Sequence, residues 1–224
     1  MDKYGRVIVL EDDVEVSSYF LTYMNQALAL YEHDEKAMHI SSFVPASVGS
    51  EKLSDTYFLP CMSCWGWATW HRAWKQHIID SEWLYQEIKR RKAFKRLDME
   101  NALGMRQHLL NNIKGPDRIW DVNWYASIFV KEGLCLYPKQ SLSAQIGLDD
   151  SGTHCSKDEL NHFKVKLADS IAVYPIPIEI NRYAYQYFKR FLRYGNATGY
   201  QALRHRLRVL KARTLQKLRR IKNR

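Results

Sequence analysis

The chain has no uninterrupted apolar run of about 18 residues, so no membrane-spanning helix is expected. It has only 4 cysteines in 224 residues, which is too few for a disulfide framework and favours reduced thiols. Glycine (10) and proline (6) are sparse and show no period, which excludes collagen-like and low-complexity classes. No signal-peptide pattern opens the chain at Met1-Asp-Lys, and the expected location is the cytoplasm. Acidic residues are also absent from one region, residues 182–224.

That last absence divides the chain. Residues 1–181 carry 20 Lys+Arg and 24 Asp+Glu, a net of −4. Residues 182–224 carry 14 Lys+Arg and no acid, a net of +14. The overall +10 therefore describes no single surface. The expected organisation is an α/β body over 1–181, large enough for one core, and a basic helical tail over 182–224.

Within the body, Arg6-Val-Ile-Val-Leu10 is a short continuous apolar run, expected as a strand buried on both faces. Ser17 or Ser18 is expected to cap a helix reaching Glu32, with Phe20, Leu21, Met24, Ala27, Leu28 and Tyr31 at helical spacing. Strands are expected over Ala37–Phe43, Tyr57–Leu59 and Leu134–Tyr137. Helices are expected from a cap at Ser81, over Met99–Asn112, and over Asp121–Lys131 with a stop at Gly133. In the tail, Tyr183–Tyr194 reads as an aromatic-rich helix. Beyond Tyr200, Leu203, Leu207, Leu210, Leu218 and Ile221 form one stripe among Arg and Lys, the pattern of a basic amphipathic helix.

Five features could carry chemistry. Glu11-Asp12-Asp13 places three acids at the end of the first strand, where open α/β sheets bind ligands. Carboxylates there can hold a divalent cation and through it a diphosphate; a solvated acidic turn ahead of a helix is the plainer reading. Trp65-Gly66-Trp67-Ala-Thr-Trp70 belongs to a run holding four of the seven tryptophans. It reads as core packing or as a pocket for a sugar or nucleotide. Asp121 follows Trp120 at a helix start and reads as a helix N-terminal acid or as a general base. The polar loop Gly147–Cys155, with Gly152, Thr153 and His154, reads as a lid over an anionic ligand, or in the case of His154 as a solvated side chain. Cys61-x-x-Cys64 has no second pair at zinc spacing, so buried thiols are expected rather than a zinc or redox site.

Taken in order, these motifs resemble GT-A-fold glycosyltransferases, in particular bacterial sugar transferases related to N-acetylglucosaminyltransferase I. The likeness rests on Arg6–Val16 with its acids, Trp65–Trp70, Trp120-Asp121 and Ser141–Cys155. It implies a partial GT-A-like mixed sheet flanked by helices. It implies Asp13 as the ligand of Mn²⁺ or Mg²⁺ on the donor diphosphate. Glu11, Asp12, Trp67, Gly152, Thr153 and His154 would contact the donor, and Asp121 would deprotonate the acceptor hydroxyl. Transfer from a nucleotide-sugar to a glycan or lipid-linked acceptor would proceed by direct displacement with inversion. The resemblance also implies βα units ahead of the acidic motif that are absent here, so an incomplete domain with an exposed strand edge is expected. The competing reading is a non-catalytic remnant that binds a membrane or protein partner through its tail. For the tail itself an anionic membrane surface is the expected partner, placing the protein peripherally at the inner face. Nucleic acid is the poorer fit, because a phosphate backbone does not require the leucine stripe.

Overall fold

The computed structural model describes residues 1–115, 119–147 and 163–195. In chain order the elements are β1 (Arg6–Val9), β2 (Val14–Val16), α1 (Phe20–Leu30), β3 (Ala37–Ser41), β4 (Thr56–Leu59), β5 (Trp67–Trp70) and α2 (His71–Trp74). There follow α3 (Ser81–Arg90), α4 (Phe94–Leu97), α5 (Met105–Lys114), α6 (Trp120–Val130), β6 (Leu134–Pro138), β7 (Ser143–Gln145) and α7 (Arg182–Tyr194). The fold is a mixed α/β arrangement. One five-stranded sheet runs in the order β1-β5-β3-β6-β4, and β2 pairs with β7 in a separate two-stranded ribbon.

The centre of the sheet is β3, whose five residues are all buried. It pairs parallel with β6 and antiparallel with β5, which in turn pairs antiparallel with β1. The carboxyl ends of β1, β3 and β6 therefore lie along one margin, beside the start of β5. Two apolar clusters cover the two faces. One gathers α6, α3 and α7 residues such as Trp124, Tyr125, Leu84 and Phe188. The other gathers Phe20, Tyr23, Met24 and Leu28 of α1 with Ala168 and Ile171. Helix α6 is buried over Val122–Val130 because it lies between the sheet and helices α3 and α5.

Several expectations need correction. Strand β1 is half-buried, not buried on both faces, because it sits at the sheet edge with β5 as its only neighbour among the described residues. Neither Ser17 nor Ser18 caps α1. The cap position is Tyr19, because the Ser17 backbone N–H is drawn to Leu142 O (2.9 Å) and Phe20 N bonds the Ser17 carbonyl instead. Asp80 rather than Ser81 caps α3, accepting from Trp83 N, while Ser81 Oγ donates to Asn123 Oδ1 at 2.8 Å. The helix expected over Met99–Asn112 begins at Met105. Met99, Glu100 and Asn101 all take positive φ, and the Asp98 carboxylate accepts from Arg106 N at 3.0 Å in a tight turn ahead of α5.

The charge boundary at 181/182 is not a packing boundary. Helix α7 buries Ala184, Tyr187, Phe188 and Phe191 against the body. Tyr187 Oη donates to Pro45 O at 2.5 Å and accepts from Ser47 N at 2.8 Å. Lys189 pairs with the Glu100 carboxylate at 3.1 Å, and Arg193 donates to the Glu100 carbonyl. The basic stripe beyond Tyr200 lies outside the described residues. No helix among the described residues is long and apolar enough to cross a membrane.

Candidate functional site

Strand β1 ends at Val9, and the chain turns through Leu10, Glu11, Asp12 and Asp13 before β2. Asp12 is exposed at the tip, while Glu11 and Asp13 are half-buried. The ribbon with β7 fixes the turn: Ile146 N donates to Asp13 O at 2.9 Å, and Val14 pairs with Gln145. Gln145 then reaches back. Its Nε2 donates to Asp13 Oδ2 at 2.8 Å, and its Oε1 accepts from Gly147 N at 3.1 Å. An amide locked at its oxygen can present only its NH₂ to the carboxylate. Gly147 is needed here, because a Cβ would come within 2.7 Å of Asp13 Oδ2 and 2.9 Å of Asp13 Cβ.

The opposite wall is the loop before β5. It is pinned to β3: Ser63 N donates to Ser41 Oγ (3.2 Å), and His39 Nε2 bonds Ser63 O (3.1 Å). Trp124 Nε1 donates to the other ring nitrogen of His39 at 3.2 Å, so the neutral tautomer protonated on Nε2 satisfies both contacts. Burial lowers the His39 pKa to about 3 and keeps the ring uncharged. Gly66 takes φ +76°, and a Cβ there would lie 2.6 Å from Ser42 Oγ. Ser143 Oγ donates to Trp65 O at 2.6 Å, tying this loop to β7 and hence to the Asp13 ribbon.

Asp121 enters from the first turn of α6. Cys64 Sγ lies 3.8 Å from its Oδ2, and its Oδ1 is buried without a hydrogen-bond partner among the described residues. Burial raises the Asp121 pKa, against the lowering effects of the Val122 N–H, Cys64 and His108. The Glu11 pKa is raised by burial first, then by the charges of Asp13, Asp121 and Asp12. Burial pushes the Cys64 thiol up as well, followed by the charges of Asp121 and Glu11. The charge of Asp121 on α6 thus reaches Glu11 in the turn after β1, although the two are far apart in sequence.

Trp67 is placed differently from its expected role. It is 3% exposed and its ring stacks on His39 (5.2 Å, 12°) and Trp120 (5.2 Å, 24°). No open face is left to stack on a donor sugar; what it offers is a buried indole N–H without a partner among the described residues. Cys61 and Cys135 are buried free thiols, with burial pushing Cys61 to about 12. Gly152, Thr153, His154 and Cys155 lie outside the described residues. Sequence reasoning missed Gln145, Ser42 and Ser143, which carry no pattern of their own, and saw Cys64 only as part of a pair.

No group of three or more His, Cys, Asp or Glu able to hold a metal is present among the described residues, so an all-protein cage is not formed there. Mg²⁺-type sites are commonly completed by one or two carboxylates plus substrate phosphates. Asp13, half-buried and oriented by Gln145, has the hard oxygen chemistry such a shared site requires. No protein-family model and no curated protein matches the chain.

Proposed function

We propose that the chain is a metal-dependent glycosyltransferase domain of GT-A type, moving a sugar from a nucleotide-sugar donor to a glycan or lipid-linked acceptor with inversion. The observation that carries the reading is the like-charge pressure on Glu11 from Asp13, Asp121 and Asp12 at the carboxyl margin of the sheet. A cluster of like charges is costly unless a cation or protonated ligand offsets it. In this reading Asp13, held by Gln145, ligates Mn²⁺ or Mg²⁺ together with the donor diphosphate. The metal, when bound, would neutralise charge on the leaving diphosphate. Glu11 and Asp12 face the donor. Asp121 accepts the proton of the acceptor hydroxyl, for which its raised pKa and free Oδ1 suit it. One base and one metal are sufficient for direct displacement, so the configuration at the anomeric carbon inverts.

The stretch beyond the described residues, 196–224, carries ten of the chain's Lys and Arg residues and the leucine stripe. We assign it to an anionic membrane surface on the cytoplasmic side, each basic residue near that surface contributing about 1 kcal/mol. This would bring the site to lipid-linked acceptors.

Calorimetry with a panel of nucleotide-sugars, with and without Mn²⁺, tests the reading. The expected result is metal-dependent binding that Asp13→Ala abolishes and Asp121→Asn retains. Asp121→Asn should then bind donor without transferring sugar. Absence of metal-dependent binding in the unaltered chain would overturn the assignment.

A further inference from the structure

Among the described residues strand β1 sits at the end of the sheet, yet its side chains serve both cores. Ile8 packs against the cluster around α1, and Val9 packs against the cluster around α6. This is the pattern of a strand with neighbours on either side, whereas edge strands are usually blunted by proline, a bulge or inward charge. None of these interrupts Val7-Ile8-Val9. His71 N donates to Gly5 O at 2.7 Å, so Gly5 turns its backbone groups toward β5. By the alternation of an antiparallel ladder, Val7 and Val9 do the same, and Arg6 and Ile8 point theirs to the open edge. Beside that edge Tyr4 is 74% exposed and Leu10 is 45% exposed.

The charges along the edge are ordered. Lys3 and Arg6 precede the apolar stretch, and Glu11 and Asp12 follow it. None of the four forms an ion pair among the described residues. A strand that reads basic, apolar, acidic is complementary to itself when run antiparallel.

We propose that the free edge of β1 docks β1 of a second copy of this chain, antiparallel and centred on Ile8, forming one sheet across a twofold axis. The outward backbone groups of Arg6 and Ile8 then pair across the axis. Arg6 falls opposite Leu10 of the second copy, which brings its head toward exposed Asp12 in the turn that follows β1, within reach of an ion pair. The twofold axis makes that ion pair twice. It also sets a cation from each copy beside the acidic turn of the other, where Glu11 is under like-charge pressure from Asp13, Asp121 and Asp12.

Light scattering of the full chain at tens of micromolar, coupled to size exclusion, tests it. The expected species has twice the monomer mass at low salt and dissociates as salt rises. Arg6→Glu should weaken the dimer about tenfold or more, since it replaces two attractive pairs by two repulsive ones. Arg6→Glu with Asp12→Lys should restore it. Ile8→Pro, which removes an outward N–H without touching the β1–β5 ladder, should give monomer. Arg6→Glu lies outside both cores, so it remains informative if Ile8→Pro does not fold. A monomeric wild-type chain overturns the proposal, and so does a dimer that Arg6→Glu leaves unchanged.

Discussion

Glu11→Gln should make the protein more stable at neutral pH. Every influence on the Glu11 carboxyl raises its pKa from the ordinary 4.5: burial, then Asp13, Asp121 and Asp12. No hydrogen bond or cation offsets them among the described residues. A group whose folded pKa is raised favours folding at low pH and opposes it once pH climbs through the raised value. At pH 7.5 the ionised carboxylate is thus a net cost. The side chain is half-exposed, so each like-charge interaction is screened to a few tenths of a kcal/mol. Three of them with partial burial amount to about 1 kcal/mol, or about 2–4 °C in Tm for a domain of this size. Thermal unfolding followed by circular dichroism at pH 7.5 and at pH 4 is the assay. The variant should melt higher at pH 7.5, and the difference should shrink toward zero at pH 4, where the acid is mostly protonated in both states. An unchanged or lower Tm at pH 7.5, or a gain that persists at pH 4, would refute the reasoning. Mn²⁺ with a donor nucleotide should narrow the gap, because a bound cation repays the charge that Glu11 brings.

Gly147→Ala should push the new methyl into Asp13, costing about 1–3 kcal/mol in denaturant unfolding and loosening metal-dependent donor binding. His39→Gln should flatten the acid side of the stability profile. The buried ring has a pKa of about 3 against an ordinary 6.5, so wild-type stability falls as pH drops through that window by up to about 1.4 kcal/mol per pH unit. Urea titrations from pH 6.5 downward should show that slope in the wild type and lose it in the variant. Tyr187→Phe should cost about 1–3 kcal/mol, since the Ser47 N–H loses its partner at the α7 interface; hydrogen exchange should show α7 opening more often.

The parts of this fold that are legible in the sequence are those set by local pattern. Leu134–Pro138 is a continuous apolar run that reads as a strand, Ala37–Ser41 reads as one despite His39, and α6 reads as a mostly apolar helix that stops at Gly133. The ribbon of β2 and β7 is invisible by the same logic. Val14-Glu-Val16 and Ser143-Ala-Gln145 are three residues each, and only their pairing across the chain makes them strands. The expected helix over Met99–Asn112 fails for a related reason. Its apolar spacing is helical, but Asp98 finds a tertiary partner in the Arg106 N–H, and Gly104 at φ +74° admits the turn. The candidate site divides along the same line. Acids at a strand end and at a helix start are visible as types at positions, but Gln145 becomes meaningful only when β7 is laid against β2.

The net charge also changes meaning once packing is known. Of the basic residues after 181, Lys189 and Arg193 are spent on Glu100, and Arg190 donates to Val48 O at 3.0 Å. The aromatic face of α7 is spent on the body too, through Phe188 against Tyr57 and Tyr137. A membrane-facing role therefore cannot draw on the first turns of the basic segment and must rest on residues after 195. Truncation should separate the two jobs. Removing 196–224 should leave the Tm within about 1 °C, because it spares Ala184, Tyr187, Phe188 and Phe191, the α7 residues that pack on the body. It should also abolish co-sedimentation with anionic vesicles. Removing 182–224 should in addition uncover Tyr57, Tyr137 and the 45–50 loop, and lower the Tm by several degrees. Equal losses of stability in the two truncations would mean that α7 does not hold the body together, and the division drawn from charge alone would stand after all.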